Sequence, residues 1–372
     1  MNKMRVYAEI NLSNVKKNVQ AVRNVVGNGT KIMAVIKADG YGHGAVMCAK
    51  ATADVADCYA VATIEEAIEL RNNGVLKDIL ILSYIFPNRY EEAIENDISM
   101  TVFDYKSAKG ISDAAMKLNK SATIHIAVDT GMGRIGFLAN EENVDEIKKI
   151  VKLPMLKIEG LFSHFATSDE KDKTYSYRQL EKFNRFINSL KENNIDIKTV
   201  HIDNSAAITE IEDSHFDMVR IGIILYGLYP SEEVDKSKIA LHPVMEFKSS
   251  VINLKTIKKG ESVSYGCHFT AQKDTRVATV SVGYADGYPR LLSNKGRVII
   301  NGKYAPVIGN VCMDQIMVDV SEIDNITVGA EVILIGKSGD IGVSADEVAA
   351  QAGTINYEIV CGIGKRVPRV YI

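Results

Sequence analysis

The chain has 372 residues, a formal net charge of -3 and a pI near 6.2. Hydrophobic residues make up 46% and charged residues 24% of it, which is typical of a folded globular protein and excludes extensive disorder. The mild negative charge and the lack of a basic cluster argue against nucleic acid or a membrane surface as a partner.

A chain of this length exceeds what one hydrophobic core usually organises, so we expect two domains. Five scattered cysteines show no CxxC spacing, which predicts reduced thiols and a cytoplasmic protein. The N-terminus lacks the apolar run of a signal peptide, and no later segment has the length of a membrane span. The histidines show no metal-binding spacing, so we predict no metal site.

From residue 31 to about residue 225, short β-rich runs alternate with segments of helical period, the pattern of βα units. The predicted strands are KIMAVIK, CYAVAT, ILILSY, SMTVFD, TIHIAVDT, IEGLFSHF, TVHIDNS and DMVRIG. Helical segments such as TIEEAIELRNNG lie between them. Eight repeats predict an α/β fold, a (β/α)8 TIM-type barrel over residues 11–238.

After residue 238 the pattern changes to β-rich runs separated by Gly, Asn and Asp turns. Residues 239–372 are therefore predicted to form a second, mostly β domain. Whether the strand within residues 1–10 joins this second domain is left open by the sequence.

Polar side chains follow five of the predicted barrel strands, at the point where each strand ends. They are Lys37, Asp129, His164, Asn204 with Ser205, and Arg220. Strand ends of a barrel meet at one face, where barrel enzymes build their active sites. Any one of these residues alone is more simply a polar residue facing a loop, but their convergence favours a site.

Lys37 ends the first barrel strand and precedes the turn ADGYGHGA. Burial lowers the pKa of a lysine and makes its neutral, nucleophilic form available, as Schiff-base formation requires. The simpler alternative is a lysine that extends to solvent at the barrel rim. The glycines at 40, 42 and 44 favour the first interpretation, because they let backbone approach an anionic ligand.

Three further segments have two interpretations each. Asn204 and Ser205 precede a short helix whose N–H groups could bind phosphate, or they cap that helix. Arg220 could lie against His201 or donate to a ligand. Arg134 could reach a carboxylate, or it could pair with Asp129.

Eight segments together resemble the alanine racemase family, in order and over essentially the whole chain. They are AVIKADGYGHGA, VDTGMGRIG, FSHFA, NSAA, MVRIGI, VSYG, VCMDQIMVDV and RVPRVY. The resemblance implies pyridoxal 5'-phosphate in a barrel, a C-terminal β domain, and a head-to-tail homodimer. In that family the partner subunit completes each site, and the reaction interconverts L- and D-alanine, which in bacteria supplies D-alanine for peptidoglycan.

The resemblance also implies a role for individual residues. Lys37 is similar to the lysine that forms the internal aldimine and acts as one base, and Tyr265 to the second base, supplied by the partner. Residues similar to the phosphate-binding set are Tyr41, Ser205, Gly222, Ile223 and Tyr357. His164 and Asn204 resemble residues beside the cofactor ring, and Arg220 the donor to its nitrogen. Arg134 and Met313 resemble the residues that bind the substrate carboxylate.

Two positions depart from the family pattern. Ala127 stands where many members have a lysine that can be carbamylated to hold the arginine, so no carbamate forms here. Asn310 stands where an arginine is frequent. We therefore expect both the support of Arg134 and the approach to the site to differ from those of such members.

Three other functions would use a similar barrel, and each makes a different demand on the sequence. A non-enzymatic pyridoxal phosphate carrier would need neither a second domain nor a second base. A decarboxylase of the same plan would have an acidic residue where Arg220 stands. A serine racemase differs only in the pocket, where Tyr357 favours a side chain no larger than a methyl group, although such pockets discriminate by only about 1–3 kcal/mol.

Overall fold

The structure is a computed structural model that describes residues 4–372. It contains two compact units. The larger unit comprises Ser13–Gly40 and Ala45–His242. Among the described residues, the smaller unit comprises residues 4–12, the short segment Tyr41–Gly44, and Pro243–Ile372.

The chain from residue 6 to residue 221 contains ten strands. They are β1 (Val6–Ile10), β2 (Lys31–Val35), β3 (Cys58–Val61), β4 (Ile79–Ile81), β5 (Ile98–Val102), β6 (Ala122–Asp129), β7 (Phe137–Leu138), β8 (Leu156–Phe162), β9 (Thr199–His201) and β10 (Met218–Ile221). Eight of them pair in parallel in the order β10-β2-β3-β4-β5-β6-β8-β9. The Arg220 N–H donates to the Asp203 carbonyl at 3.3 Å, so β10 also approaches the end of β9 and nearly closes the barrel.

The first ten strands are accompanied by eight α-helices and by one left-handed turn, labelled α2, in addition to single turns of 3-10 helix. They are α1 (Leu12–Val26), α2 (Lys37–Tyr41), α3 (Ala45–Ala51), α4 (Ile64–Asn72), α5 (Tyr90–Glu95), α6 (Tyr105–Leu118), α7 (Glu141–Val151), α8 (Thr174–Glu192) and α9 (Ala207–Glu210). Local sequence explains where several begin: Thr63 and Glu66 form a capping box at α4, and Asp104 caps α6. In α8, buried Leu180, Phe183 and Ile187 recur at helical spacing and direct one face inward.

The barrel strands are hydrophobic because both of their faces are covered. All five residues of β5 and all four of β3 are buried. A parallel strand has the barrel interior on one face and helices on the other, so it reads as a continuous apolar run. Each of the eight strands predicted from the sequence is present, and the predicted barrel is confirmed.

The smaller unit is mostly β. Its strands after residue 243 are β11 (Met245–Ile257), β12 (Ser262–Val263), β13 (Phe269–Thr270), β14 (Thr275–Val280), β15 (Arg297–Ile300), β16 (Lys303–Pro306), β17 (Ile316–Asp319), β18 (Glu331–Ser338), β19 (Ile341–Val343) and β20 (Arg369–Tyr371). Its helices are α10 (Ala345–Ala352) and α11 (Asn356–Cys361). The long β11 pairs with β1, β14 and β18, and β1 also pairs with β20.

One core cluster of the smaller unit lies beneath the β12–β13 hairpin. It consists of Ile257, Val263, Ala271, Val277 and Ile308, with Phe269 and Met317 packed against it. The hairpin is therefore anchored in the core through Val263 and Phe269, and the turn between its strands starts from fixed positions. Within residues 4–372, no helix combines the length and apolarity needed to span a membrane.

Candidate active site

Three of the predicted cationic residues, Lys37, Arg134 and Arg220, lie near His164 in the larger unit. Burial lowers the pKa of His164, and the charges of Arg220, Arg134 and Lys37 lower it further. All three predicted cations therefore lie within electrostatic range of one histidine. A mouth with this charge fits an anionic ligand, as phosphate and carboxylate groups require.

The backbone after Lys37 turns in the left-handed sense. Ala38, Asp39 and Tyr41 all have φ of 51°, and Gly40 has φ of 60°. Such a conformation costs roughly 1–2 kcal/mol for each residue other than glycine, and it persists only where neighbours enforce it. The Glu66 carboxylate accepts the Ala38 N–H at 2.6 Å, and the Asp39 carboxylate accepts the Ala45 N–H at 2.9 Å. Lys37 is thus presented from a firmly held turn.

The glycines of this turn have a different role from the one expected. A Cβ at position 42 would lie 2.3 Å from the Val360 carbonyl oxygen, and a Cβ at position 44 would lie 2.0 Å from the Tyr371 hydroxyl. Close packing against the end of the chain is therefore sufficient to require glycine at both positions. The glycine pattern by itself does not indicate an anion site.

Arg220 is a buried cation surrounded by neutral acceptors. Its Nη1 lies 2.7 Å from His201 Nδ1, and its Nη2 contacts His164 Nδ1 at 3.1 Å. Nη2 also donates to the carbonyls of Ser163 and Ile202, both at 2.8 Å. None of the side-chain hydrogen bonds that Arg220 forms within residues 4–372 uses its Nε–H, which leaves a donor for a ligand. Both the contact with His201 and the capacity to donate to a ligand are therefore present.

The contact with His201 continues into the barrel. Because arginine can only donate, His201 Nδ1 must accept and its Nε2 must carry the proton. His201 Nε2 lies 3.1 Å from His125 Nδ1, so the proton on His201 is donated to His125. A β-bulge pairs His125 with Gly160, where a Cβ would lie 2.2 Å from His125 Nδ1. Sequence analysis missed His125, because a histidine inside a strand carries no distinguishing signal.

These histidines predict a loss of stability in acid. Burial lowers the pKa of His125 to about 4 and also lowers the pKa of His201. As the pH falls, the unfolded chain therefore binds protons at a higher pH than the folded chain does. The contribution of these histidines to the free energy of unfolding is fully present above the ordinary histidine pKa and is lost as the pH drops towards 4. His125 alone contributes on the order of 3 kcal/mol to this loss. Urea unfolding at about pH 7 and about pH 5 should show it.

His125→Asn serves as the comparison for that measurement. The substitution removes one titrating group but keeps an acceptor near the position of Nδ1. The difference in unfolding free energy between the two pH values should shrink relative to the unmodified chain. An unchanged difference would show that His125 is not a neutral buried histidine.

The remaining barrel residues of the predicted site lie at the ends of β9 and β10. The Ser205 hydroxyl accepts the Gly222 N–H at 2.9 Å, which leaves the hydroxyl proton for another acceptor. Ile223 begins a buried single turn of 3-10 helix directly after Gly222. Asn204 Oδ1 accepts the N–H groups of Ala206 and Ala207, both at 3.1 Å, so the capping interpretation of this residue holds.

Arg134 does not pair with Asp129. The Asp129 carboxylate instead accepts the N–H groups of Gly131 at 2.8 Å and Gly133 at 3.1 Å. Arg134 is exposed and forms no ion pair with any residue in the range 4–372. Ala127 is buried and offers it no polar group. Arg134 is therefore available to an anionic ligand.

The other predicted site residues belong to the smaller unit. The rings of Tyr41 and Tyr357 lie 6.1 Å apart, and burial raises the pKa of Tyr41, which keeps its hydroxyl a proton donor. Tyr265 is 74% exposed on the turn between β12 and β13, and Met313 is 53% exposed. The Met313 carbonyl accepts the Ala285 N–H at 3.0 Å.

The larger unit thus has the architecture of a (β/α)8-barrel enzyme, with cationic side chains at the carboxyl ends of its strands. Family models describe the same two regions: "Alanine racemase, N-terminal domain" matches residues 10–230, and "Alanine racemase, C-terminal domain" matches residues 244–371. The chain belongs to the alanine racemase family.

Individual relatives agree over the full length. Alanine racemase 1 of Clostridium acetobutylicum is 51% identical, with 99% of this chain and 95% of the relative covered. Alanine racemase of Clostridium novyi is 50% identical at the same coverage. The solved alanine racemase of Clostridium difficile 630 superposes with a TM-score of 0.96 at 43% identity, covering 100% of this chain and 97% of that one. The predicted family and enzyme class, an amino-acid racemase, are confirmed.

Proposed function

We propose that the protein interconverts L-alanine and D-alanine, with pyridoxal 5'-phosphate as its cofactor. The observation that carries the proposal is His164 at the barrel mouth, which Arg220 contacts at 3.1 Å and which lies within range of the charges of Lys37 and Arg134. Arg134 suits the two anionic groups of the reacting pair, the cofactor phenolate and the substrate carboxylate, and Arg220 suits the ring nitrogen of the cofactor. Lys37 is the amine needed to attach the cofactor covalently.

The residues of the site fit this cofactor. Ser205 and Gly222 offer a hydroxyl proton and a backbone segment to the phosphate, and we assign Ile223, Tyr41 and Tyr357 to the same group. Arg220 would donate to the ring nitrogen through its Nε–H, which none of its hydrogen bonds to the described protein uses. His164 and Asn204 are assigned to the wall beside the ring. When bound, pyridoxal phosphate withdraws electrons and so stabilises the charge left at Cα when its proton departs.

Racemisation then needs two bases on opposite faces of the substrate. Lys37 removes or returns the Cα proton on one face, and Tyr265 does so on the other. Arg134 and the backbone of Met313 hold the substrate carboxylate. Neutral His164, whose pKa burial and the neighbouring cations depress, adds no charge that would compete with these cations for the carboxylate.

We further propose a cytoplasmic homodimer in which Tyr265 and Met313 of each subunit complete the partner's site. Exposure supports this assignment, because both side chains are more than half exposed in the single chain. All five cysteines are within the described residues 4–372 and none forms a disulfide, in keeping with a reducing compartment. In a bacterium, the product would supply peptidoglycan synthesis.

The first experiment incubates the purified protein and pyridoxal phosphate with L-alanine in deuterium oxide. Formation of D-alanine that carries deuterium at Cα, detected by chiral chromatography and mass spectrometry, is the expected result. Serine tested in parallel should still react, but more slowly than alanine, because an apolar pocket disfavours the added hydroxyl by about 1–3 kcal/mol. Cofactor binding without exchange would indicate a carrier, and release of carbon dioxide a decarboxylase.

A further inference from the structure

Tyr265 is carried on a strained turn of the backbone. Ser264 has φ of 70°, Gly266 has φ of 75° and Cys267 has φ of 52°, so three of four consecutive residues are left-handed. Each such residue other than glycine costs on the order of 1–3 kcal/mol, and the conformation persists only where its surroundings determine it. Because the Tyr265 side chain is 74% exposed, its own packing cannot supply that restraint.

Asn310 contacts this turn on both sides of Tyr265. Its Nδ2–H donates to the Tyr265 carbonyl at 2.7 Å. Its own carbonyl accepts the Ser264 hydroxyl at 2.6 Å. Asn310 is only 8% exposed, so neither contact competes with bulk water. The Asn310 side chain thus holds the Tyr265 carbonyl, and the Asn310 backbone carbonyl holds the Ser264 side chain.

Asn310 is itself held in place by the loop before β15. Asn294 Oδ1 accepts the Gly309 N–H at 2.6 Å, and Ser293 Oγ accepts the Val311 N–H at 3.0 Å. Gly309 has φ of 74°, and a Cβ there would lie 2.7 Å from Ser264 Cβ. Only glycine lets the two segments approach this closely. Both neighbours of Asn310 are therefore held in place, and Gly309 allows the segment to pack directly against Ser264.

We infer that Asn310 is a positioning residue that sets the location of the Tyr265 hydroxyl. The inference rests on the proposed function, in which Tyr265 is the second base. An arginine, frequent at this position in the family, carries a long cationic side chain that burial disfavours. Asparagine instead supplies one short neutral donor, which suits a backbone carbonyl at close range. Restraint of Tyr265 through Asn310 is thus expected where this position holds asparagine and not where it holds arginine.

The test replaces Asn310 with alanine and follows racemisation in both directions, with unlabelled alanine and with alanine deuterated at Cα. A catalytic group displaced by about 1 Å can cost up to about 100-fold in rate, so kcat should fall by about 10- to 100-fold. KM should change much less. The deuterium isotope effect should rise for one enantiomer only, because only the face served by Tyr265 is disturbed. Asn310→Asp, which turns an acceptor towards the Tyr265 carbonyl, should behave in the same way.

Asn253→Ala is the matched control, since Asn253 is an exposed asparagine of the same unit and should leave the kinetics unchanged. Tyr265→Phe is measured beside it. An impaired Tyr265→Phe together with an unchanged Asn310→Ala would overturn this inference alone, whereas full activity of Tyr265→Phe would overturn the assigned base as well. If Asn310→Ala does not fold, Ser264→Ala decides, because loss of that hydroxyl should give a weaker one-sided effect and its absence would contradict the inference.

Discussion

Replacing Lys37 with alanine is expected to remove both the covalent attachment of pyridoxal phosphate and one of the two bases. Loss of a positioned base alone costs about 10²–10⁴-fold, and loss of the attachment adds to it, so activity should fall by more than about 10⁴-fold. Lys37 is only half-buried at the rim, so the variant should still fold. Chiral analysis of alanine and the visible absorbance after dialysis measure the two losses separately.

Lys31 provides the control for this experiment. It is an exposed lysine at the opposite end of the same strand, β2, so Lys31→Ala changes the same residue type far from the barrel mouth. The control should keep both absorbance and activity. Retention of either property by Lys37→Ala would contradict the role assigned to Lys37, as would an equal loss in Lys31→Ala.

Replacing Tyr265 with phenylalanine removes a single hydroxyl from an exposed side chain, so the stability of the fold should not change. Loss of the second base should lower kcat by about 10²–10⁴-fold while the cofactor stays attached to Lys37. Tyr304→Phe, which removes a hydroxyl that is hydrogen-bonded to the Gly342 backbone elsewhere in the same unit, is the control. An active Tyr265→Phe variant would exclude the two-base assignment.

Mixing the two inactive variants tests whether sites are shared between subunits. A mixed dimer of Lys37→Ala and Tyr265→Phe would carry both substitutions in one site and neither in the other. Random exchange makes half of the dimers mixed, each with one intact site, so activity should recover to about a quarter of the unsubstituted level. No recovery, in a sample shown to contain mixed dimers, would place both residues in the site of a single subunit.

Much of the fold could be predicted from the sequence because it is specified locally. Each strand of the barrel is a short apolar run, and capping residues such as Thr63 and Asp104 begin the helices between them. Polar residues such as Lys37 and Arg220 stand at strand ends, and parallel strands bring such ends to one edge. Candidate site residues at the strand ends can therefore be predicted from spacing and residue type alone.

Other features required the three-dimensional structure. The left-handed turn after Lys37 includes alanine and tyrosine, which local propensity does not place at positive φ. The glycines at 42 and 44 were interpreted as a ligand approach, yet packing against Val360 and Tyr371 accounts for them. In each case the deciding contact comes from a distant part of the chain, which a local pattern does not contain.

The sequence by itself determined the barrel, the β-rich second domain and the residue types available for racemisation, since these follow from periodicity and from family motifs. Tertiary structure alone decided how those residues are held. His125 and His201 are 76 positions apart, and Asn310 and Tyr265 are 45 apart. Hydrogen bonds of this kind form only when the donor–acceptor distance is set to within a few tenths of an ångström. Only the packed fold sets such distances, because it brings together segments that the sequence keeps separate.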